Sequence, residues 1–158
     1  MKKIIIAIST IILALSACQQ TEKSVQQPLE NCVVYEMNVR QYTPEGTLDT
    51  KFVNYYNEQN QMIRQDVYEG TVLDGINHYT YNSLGQLERT DYCDANDVLD
   101  RYRIHSYDDA GRKIELCMYR ADGTLIEREV ITYDENGRRL KQETFDADGN
   151  WIRSYEYE

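Results

Sequence analysis

The side chains able to do chemistry are few, and their spacing suits no familiar reaction. Only two histidines occur, His78 and His105, each shortly before a tyrosine (Tyr81 and Tyr107). A protein metal site needs several ligands at chosen spacing, and the sequence offers no Cys or His cluster of that kind. Both histidines read as cross-strand packing beside tyrosine. Asp146-Ala147-Asp148-Gly149-Asn150 has the opening spacing of a calcium loop, but an EF-hand loop runs on to a glutamate between two helices. Here a strand begins at Trp151, and turn chemistry accounts for the acids. Pairs such as Glu127 and Glu129 carry little weight, because a general acid needs a dry pocket to raise its pKa. Gly-x-Ser-x-Gly, a phosphate loop and a Cys–His pairing are all missing from the sequence. No catalytic residue, metal ligand or cofactor is expected, and the chain reads as non-enzymatic.

One cysteine does have a chemical context. Met1-Lys2-Lys3 precedes an apolar run from Ile4 to Leu15, followed by Ser16-Ala17-Cys18. A basic head, a short apolar stretch and small residues at the exit make a secretory signal, too short to span a bilayer, which takes about 20 residues. Leu15-Ser16-Ala17-Cys18 resembles the lipobox of bacterial lipoproteins. The resemblance implies cleavage before Cys18, a diacylglyceryl thioether on its sulfur and acylation of the new amino terminus. Gln19 stands where aspartate would be an inner-membrane retention signal, so the resemblance points to the outer membrane of a Gram-negative bacterium. Residues 1–17 are thus expected to be a signal peptide and 18–31 a lipidated polar tether. Residues 32–158 would form the folded domain.

Removing residues 1–17 leaves 15 basic and 27 acidic side chains, a net charge of −12. Such a surface repels nucleic acid and anionic lipid headgroups, so the expected contact with the membrane is the lipid alone. Acidic disordered chains lack aromatics. This chain has 14 tyrosines, so a fold with a thin, tyrosine-rich core is expected.

The elements that would hold these residues follow from a repeat. An aromatic residue, three turn-type residues and then glycine or asparagine recur at Tyr42, Tyr56, Tyr81, Tyr92, Tyr107, Tyr119, Tyr133 and Phe145, with a shortened copy at Tyr68. A type I turn followed by a residue at positive φ closes a short hairpin, and glycine or asparagine takes that φ at least cost. Asn60 and Asn96 stand in the glycine position. The intervening segments are rich in Tyr, Val, Ile and Thr and read as strands. The expectation is an all-β fold: an up-and-down antiparallel meander of about ten strands, open and twisted or curled into a half-shell, with a closed barrel as the alternative.

Alternate turns fall on opposite edges of a meander. One edge then carries Tyr56, Tyr81, Tyr107 and Tyr133 at spacings of 25, 26 and 26. The other carries Tyr42, Tyr68, Tyr92, Tyr119 and Phe145 at 26, 24, 27 and 26. The unit is a two-strand hairpin of about 26 residues. Cys93 and Cys117 would lie two strands, about 10 Å, apart, beyond disulfide reach, and Cys32 farther still. No intramolecular disulfide is expected.

Tyr133-Asp-Glu-Asn-Gly-Arg-Arg-Leu140 and Tyr107-Asp-Asp-Ala-Gly-Arg-Lys-Ile114 resemble the YD repeats of the RHS family, with Tyr81-Asn-Ser-Leu-Gly-Gln-Leu87 a looser copy. The resemblance covers roughly residues 40–158. It implies coiled β-sheet at a cell surface, and in that family carbohydrate binding has been suggested for the repeats. The longer hairpin period and the lack of a toxin domain depart from the family, so no catalytic residue carries over.

The functional expectation is a cell-envelope lipoprotein that presents a repeat sheet for binding or scaffolding. Its ligand would be carbohydrate or a cell-surface protein, met by Tyr81, Tyr107, Tyr133, Trp151 and Tyr155. The alternative is an immunity-type or regulatory partner that binds a basic toxin or enzyme through acidic charge.

Overall fold

A computed structural model describes residues 32–43 and 46–158. The expected signal peptide and tether, Cys18 included, fall outside the described residues. Ten strands follow one another: β1 (Val33–Thr43), β2 (Gly46–Tyr56), β3 (Met62–Glu69), β4 (Val72–Tyr81), β5 (Leu87–Asp94), β6 (Leu99–Tyr107), β7 (Lys113–Arg120), β8 (Leu125–Tyr133), β9 (Arg139–Asp146) and β10 (Trp151–Glu156). They form one sheet in sequence order, every neighbour antiparallel. Each strand touches only its sequence neighbours. β1 and β10 therefore leave open edges, and the sheet is not a barrel.

The turns show why the chain folds back where it does. In the turn after β6, the Gly111 N–H donates to the Asp108 carbonyl and the Asp108 N–H to the Arg112 carbonyl, both at 2.9 Å. Asp108 Oδ1 accepts from the Ala110 and Arg112 N–H groups, and Gly111 takes φ +78°. The same bonds recur around Asn57, Asn82, Asp134 and Asp146. The described hairpins after β2 each carry a one-residue register shift near the turn. Such bulges increase the right-handed twist of a sheet.

One turn departs from its expected register. Asn60 is left-handed at φ 58°, as read from the sequence, but in the turn after β5 the left-handed residue is Asp97 (φ 62°), not Asn96. The bonds there run from the Asp97 N–H to the Asp94 carbonyl and from the Asp94 N–H to the Val98 carbonyl. The motif therefore starts at Cys93, which takes the aromatic position, and Asp97 takes that of glycine.

Strand alternation and pairing register sort the side chains into two faces. The front face carries Val53, Asp66, Ile76, Asp91, Tyr102, Ile104, Cys117 and Tyr119. Most buried residues sit there, with a cluster of Tyr102, Ile104, Cys117 and Tyr119 backed by Leu99 and Leu125. The back face carries Asn54, Gln65, Asn77, Thr90, Arg103, His105, Ile131 and Thr144. On β7 the buried residues are Glu115, Cys117 and Tyr119. Aromatic stacking supplies what aliphatic volume cannot: Tyr102 and Tyr119 lie 5.1 Å apart, nearly parallel, with the Arg89 guanidinium 3.9 Å over the Tyr102 ring.

Cys32 and Cys93 are free thiols. Cys117 is fully buried. The meander order that excluded a Cys93–Cys117 bridge holds.

Candidate functional site

The two aromatic columns lie on opposite faces. On the back face, Tyr56, Tyr81, Tyr107 and Tyr133 line one edge, and Tyr157, just beyond β10, continues the series. The Tyr81, Tyr107 and Tyr133 hydroxyls donate to the backbone carbonyls of Met62, Leu87 and Lys113 at 2.9, 2.8 and 2.7 Å. Each ring is half-buried and clips the end of its own strand to the start of the preceding one. Three of the five expected contact residues thus have a structural duty in their hydroxyls, and the Arg112 guanidinium lies 5.0 Å over the Tyr133 ring. The Tyr157 hydroxyl instead donates to Gln142 Oε1 at 3.1 Å. Tyr155, on the same face, is 53% exposed. Trp151 is 60% exposed but pairs with Phe145 and so stands on the front face, apart from the tyrosine column.

Further in on the back face, a polar ladder crosses three strands. Gln65 donates to Asn54 at 2.8 Å and Asn77 donates to Gln65 at 3.1 Å. Beside it a shallow groove of about 280 Å³ is lined by Val67, Gly75, Asn77, Tyr92, Asp94 and Arg101.

The front-face column runs Tyr68, Cys93, Tyr119 and Phe145, at even spacings of 25, 26 and 26 once Cys93 takes its place. Cys93 interrupts it. Opposite Cys93 on β4 is Ile76, and His78 follows two residues on, on the same face. The next turn curls Asp97 back over this face, where Oδ1 lies 2.7 Å from His78 Nε2. His78, Cys93 and Asp97 hold their ligating atoms within 4.8 Å of one another, the one such group among the described residues. The His78 side chain is 11% exposed and that of Asp97 31%.

Electrostatics differ across the cluster. Burial, and then the charges of Asp97 and Asp91, push the Cys93 thiol up to about 12. At neutral pH it is protonated, which is wrong for a nucleophile. Burial pushes Asp97 up too, but the His78 hydrogen bond and charge, with the nearby Arg64 guanidinium, outweigh it and hold the carboxyl below its usual range. Arg64 itself donates to Asp66 at 2.6 Å.

His78 and His105 do not form a pair. They stand on opposite faces, and both His105 ring nitrogens are buried without a hydrogen-bond partner. Asp146, the first residue of the calcium-like loop, spends its carboxylate on the Asp148 and Asn150 N–H groups and the Asn150 amide. The His78–Cys93–Asp97 group escaped the sequence reading because its members have no motif spacing. Its one sequence signal is a double departure in a single repeat, with cysteine for the aromatic residue and aspartate for glycine.

Residues 67–158, more than half of the chain, match a protein family described as "Uncharacterised protein". The chain belongs to that family. The matched span includes β4 to β10 and all three residues of the cluster. No curated protein matches the chain.

Proposed function

We propose that this is a non-enzymatic lipoprotein of the bacterial cell envelope, anchored in the outer membrane of a Gram-negative organism through lipid on Cys18. Its YD-repeat-like sheet would bind an extended carbohydrate. The anchor rests on the basic head, apolar run and Leu15-Ser16-Ala17-Cys18 sequence. Three acyl chains suit stable attachment, because one chain binds a membrane only marginally.

The observation that carries the binding reading is the back-face column. Tyr81, Tyr107 and Tyr133 recur every second strand, a step of about 10 Å from the strand separation. That step is commensurate with a disaccharide repeat in an extended polysaccharide, so one chain could lay successive sugar faces on successive rings. Hydroxyls tied to the backbone fix the rings and lower the entropy lost on binding. The exposed Tyr155 and Tyr157 lie where the column leaves the sheet, and the amide ladder and Tyr92 groove add hydrogen-bonding groups on the same face.

Retardation of the purified protein in gels cast with envelope polysaccharide tests this. Replacing Tyr155 and Tyr157 with alanine should relieve the retardation. Equal mobility of wild type and variant in every polysaccharide would remove the reading. The acidic charge favours a second reading, an immunity-type partner of a basic toxin or enzyme. Binding of that kind weakens steeply with salt, whereas stacking on sugar hardly responds.

Lipidation is tested by a mass map of protein from cells. A thioether on Cys18 supports the anchor. An unalkylated Cys18 overturns it.

A further inference from the structure

We propose that His78, Cys93 and Asp97 form a binding site for a divalent ion of the zinc class, with His78 Nε2, Cys93 Sγ and an Asp97 carboxylate oxygen as ligands.

The first argument is the donor set. Imidazole, thiolate and carboxylate are the three protein ligand types that zinc takes, at about 2.0–2.3 Å. Three atoms within 4.8 Å of one another can close on a single ion. The 2.7 Å contact between His78 and Asp97 need open only slightly to admit it. Thiolate and carboxylate together balance the charge of a dication, so a neutral ion cluster can sit on this buried face. Soft sulfur disfavours magnesium and calcium, which prefer oxygen cages. Three protein ligands leave a coordination position, and the part-exposed Asp97 marks the side from which ion and water enter.

The second argument is independent of ligand chemistry. Every other full turn motif of the front-face edge that is described, at Tyr119 and Phe145, has an aromatic residue first and glycine fifth. In this turn both positions change, and both new side chains converge on His78. At the fifth position glycine gives way to an aspartate at φ 62°, one of the few side chains that tolerate left-handed backbone. The column loses a ring at the first position. Two departures in one turn that bring two ligands to one histidine are what a site built into a structural repeat looks like.

The third argument is rigidity. His78 and Cys93 sit on neighbouring paired strands, and the turn that places Asp97 is tied by the Asp94 carboxylate accepting from the Asn96 and Val98 N–H groups at 2.8 and 2.9 Å. The ligands are therefore held before any ion arrives.

The test is titration of the purified full chain with cobalt(II), followed by displacement with zinc(II). Coordination by Cys93 should give a thiolate-to-cobalt charge-transfer band and a tetrahedral visible spectrum, both abolished by one equivalent of zinc. C93Y restores the column and should remove the band. D97G restores the glycine and should keep the band while weakening affinity by more than the roughly 10- to 100-fold that losing an outer-shell partner costs. Both variants return the turn to the pattern of its neighbours, so both should fold, and circular dichroism checks that. A band that survives in C93Y would place the thiolate at another cysteine and overturn the proposal. So would equal cobalt affinity in the wild type and the C93Y/D97G double variant. Neither result touches the polysaccharide reading, which rests on the other face.

Discussion

Arg89 and Asp91 form an ion pair within one strand on the front face of the sheet, Nε to Oδ1 at 2.7 Å, with side chains only 10% and 4% exposed. The two residues are separated by one position on β5, so both point the same way. Arg89 also caps the Tyr102–Tyr119 stack. The pair is thus a polar centre inside the core cluster, not a surface decoration.

The first prediction follows from that burial. Breaking a buried pair strands one charge and costs about 3–5 kcal/mol, whereas replacing both partners with apolar side chains is often neutral. Asp91→Ala should lower the urea midpoint by that order, and Arg89→Met with Asp91→Leu should recover most of the loss. If the single and double variants unfold together, the pair is not coupled. Arg89→Lys should also destabilise, because lysine lacks the planar fork that both bonds Asp91 and stacks on Tyr102.

The tyrosine clips give a second prediction. Tyr107→Phe removes the hydroxyl that donates to the Leu87 carbonyl and keeps the ring. The expected cost is about 1 kcal/mol. Tyr81→Phe and Tyr133→Phe should each cost a similar amount, and the three should nearly add because they share no partner. Polysaccharide retardation should survive in the triple phenylalanine variant, since stacking needs the rings. Loss of retardation with intact folding would shift the contact from ring faces to hydroxyls.

Much of this architecture was legible because turn chemistry is local. The Asp108-to-Gly111 bonds need only residues adjacent in sequence, so the repeat revealed ten antiparallel strands and their order. The slip at Asn96 has a physical origin too. Asparagine and aspartate both tolerate left-handed backbone, and Tyr92 imitates the aromatic residue one place before Cys93. The faces were harder to read. Burial of Glu115, Cys117 and Tyr119 on β7 depends on Arg128, Tyr102 and Ile104 from neighbouring strands, among them the Arg128–Glu115 ion pair. The candidate site was illegible for the same reason, since His78, Cys93 and Asp97 meet only through strand pairing and a turn.

A third prediction concerns backbone conformation. Gly137 holds φ +80° with Arg112 Nη1 3.5 Å from where a Cβ would stand. Space therefore exists, and the cost of Gly137→Ala is the left-handed strain itself, about 1–2 kcal/mol. Asn60→Gly, at φ 58°, should leave stability unchanged or raise it, because glycine takes that φ without penalty. Differential scanning calorimetry of the two variants checks both. Equal melting temperatures would mean that the left-handed turns carry no strain.

The fourth prediction is a pH dependence centred on His105. Burial, with the charges of Lys113 and Arg103 adding to it, depresses the imidazole from 6.5 to about 4. The folded chain therefore keeps His105 neutral where the unfolded chain protonates it. Above pH 6.5 neither state is charged and the full stability is present. As pH falls from 6.5 towards 4 the unfolded state binds the proton first, and stability declines. The turn carboxylates Asp94, Asp108 and Asp134, held low chiefly by backbone N–H groups of Val98, Arg112 and Arg138, contribute in a separate window below their ordinary value of 3.8. His105→Leu removes the ring nitrogens that lack partners and sets leucine opposite Leu116. Its melting temperature should be flatter than that of the wild type between pH 6.5 and 4, and should fall in parallel with it below that range. A wild-type slope that persists in His105→Leu would assign the decline to another group.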